Sequence, residues 1–368
     1  MIKRTDFKLV NEGTTNVLVS NNKSTSKGPG SKEKVPFYNP SMELNRDLSI
    51  VLCQFFVNNS SKKVSLLDGL AASGIRGFRI IGEVEGDYEV FINDWDEEAF
   101  KLIEENYKNS NKKNVKIFNK NLNTILSENK FDYIDIDPFG SPVYFIDSAM
   151  RSICNNGIIA ITATDTAALC GVYPKVCLRR YGAKSFHSYV MHEIGLRILL
   201  GVLCRQAAVY KKGIEPLVSY STDHYFRIYV RVRKGVDQAN DAMKNFLTIN
   251  SKNIPFSKGK NVEVGPLWMG KLQNKKVIRE LRTILFEKEL KTKNNLWKLL
   301  DLLEGEADAP SFFYESSILA SIWKKSPPKM KTIFEELVKK DFFVCRTHFT
   351  TSGFKTDAPL SEIEKLFK

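Results

Sequence analysis

Between residues 64 and 162, five short apolar runs alternate with stretches of helical periodicity, a pattern that few architectures can absorb. The runs are Val64–Leu67, Glu89–Ile92, Val115–Phe118, Phe131–Ile136 and Gly157–Thr162. Helical stretches separate them, at Ile75–Ile81, from Asp96 to about Tyr107, and up to Ile153. Short β runs divided by helices imply an α/β fold, with a doubly wound parallel sheet and helices on both faces. Right-handed crossovers then bring the carboxyl ends of the strands to one edge, where a ligand would sit. An apolar helix, Leu48–Phe56, precedes the alternation, and a long one, about His187–Tyr210, follows it. Leu217–Tyr220 and Tyr225–Val232 read as strands joined by the tight hairpin Ser221–His224.

This pattern predicts a first domain over residues 1–233 and a second, smaller one over 234–368. The chain's 368 residues suit about two or three domains of ~150 residues. Residues 234–368 hold 24 Lys+Arg against 17 Asp+Glu, so the second domain is the more basic per residue. Gly235–Lys260 reads as loop-rich, Leu272–Leu303 as mainly helix, and the end as helix Ser317–Lys324, helix Met330–Lys340 and strand Phe342–Phe349. That order resembles a winged-helix unit and also fits any small α/β domain.

The formal net charge of +13 favours a polyanionic partner, most often nucleic acid, although a solvated lysine-rich surface gives the same sum. A Ser/Gly/Lys-rich segment, Asn21–Lys34, reads as a basic loop, either passive or RNA-clamping. The six cysteines show no Cys-x-x-Cys spacing, and His187 and His192 lie five apart, so neither a metal nor a disulfide frame is expected. The start, Met1–Lys8, carries charge where a signal peptide needs an apolar run, and Arg197 and Arg205 interrupt the most apolar stretch. A soluble, cytoplasmic protein away from the membrane is expected, with a monomer favoured.

Three strand ends carry the chemistry. The first turn, Asp68-Gly-Leu-Ala-Ala-Ser-Gly74-Ile-Arg76-Gly77, is low and glycine-rich, so a ligand can approach the backbone. Asp68 would repel a pyrophosphate but suits S-adenosyl-L-methionine, which carries a sulfonium and an ammonium instead. The second strand ends at Asp94, placed to accept ribose hydroxyls or, more blandly, to cap the next helix. The third leads to Asn121 and Leu122, where a side chain and a backbone group could read adenine. The fourth ends Ile136-Asp137-Pro138-Phe139, like the Asp/Asn-Pro-Pro-aromatic signature of enzymes that methylate exocyclic amines. An aryl amine is a poor nucleophile because its lone pair is delocalised. A carboxylate that accepts its hydrogens favours the pyramidal nitrogen, Pro138 stiffens the turn, and Phe139 can stack on the base.

Across nearly its whole length the chain resembles the tRNA (guanine(26)-N2)-dimethyltransferases in their shorter archaeal form. The resemblance runs through Pro36–Pro40, Asn45-Arg46-Asp47, Asp68–Gly77, Asp135–Pro142 and Thr162–Asp165. It continues through Leu169–Gly171, His192–Gly195, Asp223–Phe226, Gly265–Trp268, Arg346–Phe349 and Gly353–Pro359. It implies a Rossmann-like class I methyltransferase sheet and transfer of one, then two, methyl groups from S-adenosyl-L-methionine to the N2 amine of guanine 26. It also implies that Arg46 and Arg76 hold the cofactor, that Asp94 and Asn121–Leu122 hold its adenosine, that Asp137 is catalytic, and that Phe37 and Phe139 flank a flipped guanine. Family members often have an acid where Asn121 stands. tRNA contacts are expected on Lys271–Lys298 and near Arg346. Competing readings are an amino-methyltransferase for another guanine or an adenine, and a non-catalytic RNA-binding factor.

Overall fold

The computed structural model of the chain describes residues 7–21, 38–110, 112–222, 224–256 and 261–367. Phe37 and all of the basic loop except Asn21 lie outside the described residues.

The first element is a hairpin absent from the sequence reading, β1 (Phe7–Glu12) and β2 (Thr15–Ser20). Its Val17 and Val19 are buried, and Glu12 faces inward. Next, α1 (Glu43–Asn58) starts five residues before the expected Leu48. Its first turn buries Glu43, Asn45, Arg46 and Asp47 against charged partners, and an apolar periodicity cannot register burial of that kind.

The predicted alternation follows: β3 (Val64–Asp68), α2 (Ile75–Glu83), β4 (Tyr88–Asn93), α3 (Glu97–Ser110), β5 (Val115–Phe118) and α4 (Leu122–Glu128). It continues through β6 (Phe131–Ile136), α5 (Val143–Ser152) and β7 (Ile153–Ala163). Two short helices, α6 (Thr166–Leu169) and α7 (Pro174–Tyr181), come before the long apolar α8 (Met191–Val209). The hairpin β8 (Lys212–Ser221) and β9 (Phe226–Lys234) completes a seven-stranded sheet of order β5-β4-β3-β6-β7-β9-β8. Strands β3 to β7 are parallel, whereas β9 runs antiparallel to both neighbours. The strand order reverses between β3 and β6, the switch point at which open α/β sheets bind ligands.

The segment expected to be loop-rich forms α9 (Val236–Met243), β10 (Phe246–Asn250) and β11 (Glu263–Trp268). Small Ala239 and Ala242 let α9 pack on β8, so the helix needs no apolar stripe of large residues. The helical stretch resolves into α10 (Lys275–Glu287) and α11 (Lys293–Glu306). After them come β12 (Tyr314–Glu315), α12 (Ser316–Trp323), α13 (Met330–Val338), β13 (Val344–Arg346), β14 (Gly353–Thr356) and α14 (Leu360–Glu364). With β14 paired between β12 and β13, the sequence from α11 to β14 has winged-helix connectivity. The expected strand Phe342–Phe349 shortens to three residues, because Thr347 and His348 leave the ladder to bury polar contacts.

Two cores sandwich the sheet. One packs α4, α5, α6 and α8 on one face; the other packs α1 and α2 on the opposite face, where α10 and α11 join them. Thus side chains from beyond residue 234 complete the second core. A third, separate cluster joins Leu319, Ile333, Leu337, Phe354 and Ile363. Among the described residues, no helix is long and apolar enough to cross a membrane.

Candidate active site

The β3–α2 turn forms the floor of the site. A Cβ on Gly69 would come within 2.8 Å of Leu122 Cδ1 and 2.9 Å of the Asp135 carbonyl oxygen, so only glycine lets the turn lie this low. Gly74, at φ 76°, makes the left-handed turn that starts α2. Asp68 is buried, and its Oδ2 accepts the Gly77 N–H at 2.9 Å. Burial pushes the Asp68 carboxyl up to about 7, with Arg76 pulling against it and Asp135 adding to it.

Asp94, just past the end of β4, reaches back to the β3–α2 turn. Its Oδ2 accepts the Ala72 N–H at 2.8 Å and its Oδ1 the Asp96 N–H at 3.0 Å. Asp96 caps α3 by accepting from Glu98 and Ala99, so Asp94 tethers the glycine turn and the helix cap lies two residues on. Burial raises the Asp94 carboxyl above its ordinary range. Beside it, fully buried Asn93 donates to the Gly69 and Lys120 carbonyls, joining the first three strand ends. Asn121 is exposed and caps α4 through the Asn123 N–H, while Leu122 packs beneath Gly69.

The end of β6 concentrates charge. Asp135 pairs in register with Asp68 and is completely buried. Arg227, from β9, donates to both its oxygens at 2.9 and 2.6 Å, and the Tyr133 hydroxyl donates at 2.7 Å. Burial pushes Asp135 up, but Arg227 and then Arg76 outweigh it and hold the carboxyl below the usual range. Two residues on, the Asp137 side chain is 21% exposed, and its Oδ2 accepts from the Arg76 guanidinium. Arg76 is itself aimed by Asn45 Oδ1 at 2.9 Å and Ser49 Oγ at 2.6 Å, side chains one turn apart on α1. Pro138 and half-exposed Phe139 follow, and the loop is closed by Gly140 N–H donating to Thr164 Oγ1 at 2.7 Å. The result is a rigid mouth with one carboxylate turned toward solvent.

Among the residues expected from sequence, Asp68, Arg76, Asp94, Leu122, Asp137 and Phe139 ring this edge, and Asn121 stands at its rim. Arg46 is engaged by Glu12, with Nε to Oε2 at 2.7 Å, and lies 5.3 Å from the Tyr38 ring. Sequence reasoning gives no role to Asn45, which it meets only within the Asn45-Arg46-Asp47 stretch, and does not find Glu12, Ser49, Asn93 or Arg227. The polar pair Asn45 and Ser49, four apart in an apolar helix, is the one signal in the sequence that could have marked any of them.

The small-residue floor and the acid at the end of β4 fit the adenosyl and amino-acid parts of S-adenosyl-L-methionine. A Cβ at Gly69 would strike Leu122 and the Asp135 carbonyl, so glycine there keeps the floor low. Among the described residues, no group of three His, Cys, Asp or Glu could hold a metal ion. A cleft of about 570 Å³, lined in part by Arg233, Trp268 and Lys271, opens at the opposite edge of the sheet where β8 begins. It contains none of the strand-end residues.

The chain matches the model of a family described as N2,N2-dimethylguanosine tRNA methyltransferase over residues 13–368. It is 37% identical to the tRNA (guanine(26)-N(2))-dimethyltransferase of Methanobrevibacter smithii, with 98% of this chain and 97% of the relative covered. Identity to the protein of that name from Pyrococcus furiosus is also 37%, with 95% of each covered. The solved complex of Trm1 from Pyrococcus horikoshii with S-adenosyl-L-methionine superposes with a TM-score of 0.86 at 32% identity, covering 98% of this chain and 100% of that one. A match of that extent places a carboxylate-mouthed, doubly wound sheet in one family, and the chain belongs to the N2,N2-dimethylguanosine tRNA methyltransferases.

Proposed function

We infer that the chain methylates the N2 amine of guanine 26 in tRNA, first once and then a second time, using S-adenosyl-L-methionine. The observation that carries the assignment of roles is the part-exposed Asp137 carboxylate, backed by Arg76 at the mouth of β6. When bound, S-adenosyl-L-methionine would supply an electrophilic methyl carbon, its sulfur keeping the electrons of the broken S–C bond and leaving as a neutral thioether.

The protein's own groups do the rest. Asp137 accepts the hydrogens of the guanine amine, favours its pyramidal form, and takes the proton that the nitrogen sheds as its bond to carbon forms. Arg76 holds Asp137 in place, and Asn45 and Ser49 hold Arg76. Phe139, with Phe37, flanks the base, so that unstacking from the RNA is repaid by stacking on the protein. Asp94 takes the ribose hydroxyls with lone pairs left over from its two backbone bonds. Asn121 and Leu122 line the adenine end, and Asp68 fixes the turn beneath the amino-acid end. Arg46 and Arg76 hold the carboxylate of the amino-acid moiety. Residues 234–368 supply RNA docking, which their basic surplus supports. The protein acts as a monomer in the cytoplasm.

The test is a nucleoside digest of tRNA incubated with the protein and S-adenosyl-L-methionine. Mono- and dimethylguanosine mapped to position 26 are expected. Methylation of an adenine or another guanine, or cofactor-independent RNA binding without product, would overturn the reading.

A further inference from the structure

The cations expected to meet RNA are largely spoken for within the chain. Lys271 and Lys275 pair with Asp308, Arg279 and Arg282 with Glu304, and Lys291 with Glu43. A different surface stands open beside the catalytic mouth. Residues 166–192 carry Lys175, Arg179, Arg180 and Lys184 and no Asp or Glu. Lys175, Leu178 and Arg179 share the outer face of α7, while Cys177 and Tyr181 face the core. Lys175 and Arg179 make no ion pair or hydrogen bond among the described residues.

Large rings and apolar side chains accompany these charges. Tyr173, at the N-terminal end of α7, is 58% exposed, and Val172 and Leu178 are each 50% exposed. Tyr144, on α5, is 67% exposed and lies three residues after Ser141, which bonds Tyr181 of α7. A monomer's surface seldom combines so much exposed apolar area with unpaired positive charge unless something covers it. Rings interleaved with cations are what a single nucleic-acid strand needs, with bases on the rings and phosphates on the charges.

Internal bonds hold α7 in a set position relative to the catalytic loop. The Tyr181 hydroxyl donates to Asp165 Oδ1 at 2.5 Å and accepts from Ser141 Oγ at 3.0 Å, and Ser141 lies in the loop that carries Asp137 and Phe139. Arg180 pairs with Asp165 Oδ2 at 3.0 Å, and the Thr164 N–H donates to the Gly140 carbonyl at 3.0 Å. We propose that α7, with Tyr144 and Tyr173, is a strip that grips the RNA strand adjoining the flipped guanine. Two phosphates would lie on Lys175 and Arg179 and neighbouring bases on the two tyrosines. The strip rests on the functional reading above, and it divides RNA binding between the methyltransferase sheet and the C-terminal unit. A protein partner would need an acidic, apolar complement; the charge here and the adjacency to the base site favour RNA.

The experiment compares wild type with Lys175→Gln/Arg179→Gln and with Tyr144→Ala/Tyr173→Ala. Single-turnover methylation is followed against tRNA concentration at several salt concentrations, with S-adenosyl-L-methionine affinity measured by calorimetry. The charge variant should raise half-saturation by tRNA about tenfold and flatten the log–log salt dependence by roughly 1.4 to 1.8, since each phosphate contact is worth ~0.7–0.9. The tyrosine variant should weaken tRNA about thirtyfold or more with its salt slope unchanged, as expected for two stacked bases lost. Cofactor affinity and the rate at saturating tRNA should stay within about twofold of wild type. Unchanged tRNA half-saturation and salt slope would sink the strip, and so would a matching loss of cofactor affinity, which would mark the helix as structural. A wild type that binds S-adenosyl-L-methionine but never methylates tRNA would bring down the underlying functional reading instead.

Discussion

Of the clusters of buried charge among the described residues, two are built to opposite ends. At the mouth of β6, the two guanidiniums of Arg76 and Arg227 face three carboxylates, Asp68, Asp135 and Asp137. Where α8 meets the C-terminal unit, Arg197 and Lys355 face Glu193 and Glu306, and His348 adds a further bond to Glu306. Glu193 also accepts the Phe312 N–H at 2.8 Å, and His348 Nε2 accepts the Ser221 N–H at 3.3 Å at the catalytic edge. The second cluster is matched and closed. In the first, Asp135 is fully paired, Asp68 is driven toward its neutral acid, and Asp137, paired with Arg76, stays part-exposed. A pair closed off from water holds the fold together; a paired carboxylate left part-exposed at an opening can do chemistry.

The sharpest way to break the comparison is Asp137→Ala. Turnover should fall on the order of 10³-fold, the middle of the range for a lost general base, while tRNA binding falls little. A near-normal single-turnover rate would remove Asp137 from its role. For the closed cluster, Glu193→Ala should cost roughly 3–5 kcal/mol of stability, since it strands the charges of Arg197 and Lys355. Denaturant melts measure this loss, and a cost below about 1 kcal/mol would show that the cluster is not a lock.

Acid gives the same contrast a sign. The Arg197 and Lys355 cations hold the Glu193 carboxyl down at about 2 against the pull of burial, so its stabilisation is whole above the ordinary 4.5 and drains as pH falls through about 2. Asp68 runs the other way. Burial raises it to about 7, so its contribution is whole below 3.8 and is lost as pH rises through about 7. Asp68→Asn should therefore flatten the stability profile between those values, and melts on the two proteins from pH 4 to 8 would reveal a parallel loss if the assignment fails. Smaller still, Asp94→Asn should raise the S-adenosyl-L-methionine dissociation constant about tenfold, as expected for one charge-assisted hydrogen bond. Calorimetry that shows no change would detach Asp94 from the ribose.

The sheet is legible in the amino-acid sequence because its central strands are buried on both faces. Such strands read as short apolar runs, and β6 begins and ends where its run does. The carboxylates are legible because each stands at or just past the end of an apolar strand run. The N-terminal hairpin is not, although Glu12 on it grips Arg46 at 2.7 Å and reaches Arg79 at 3.3 Å. Nor are α6 and α7, folded into what reads as one approach to the long helix. Short elements carry too few residues for a period to emerge.

What the chain determined on its own was therefore local and repetitive: the β/α alternation, the low glycine turn, and the acids at three strand ends. What the tertiary structure alone decided is who holds those acids. Asp135 takes its cation from residue 227, and Arg76 takes its aim from Asn45 and Ser49. A hydrophobic period records burial against apolar neighbours within one element. A buried charge is tolerable only once its partner arrives from elsewhere in the chain, and spacing along the sequence has no means of recording that arrival.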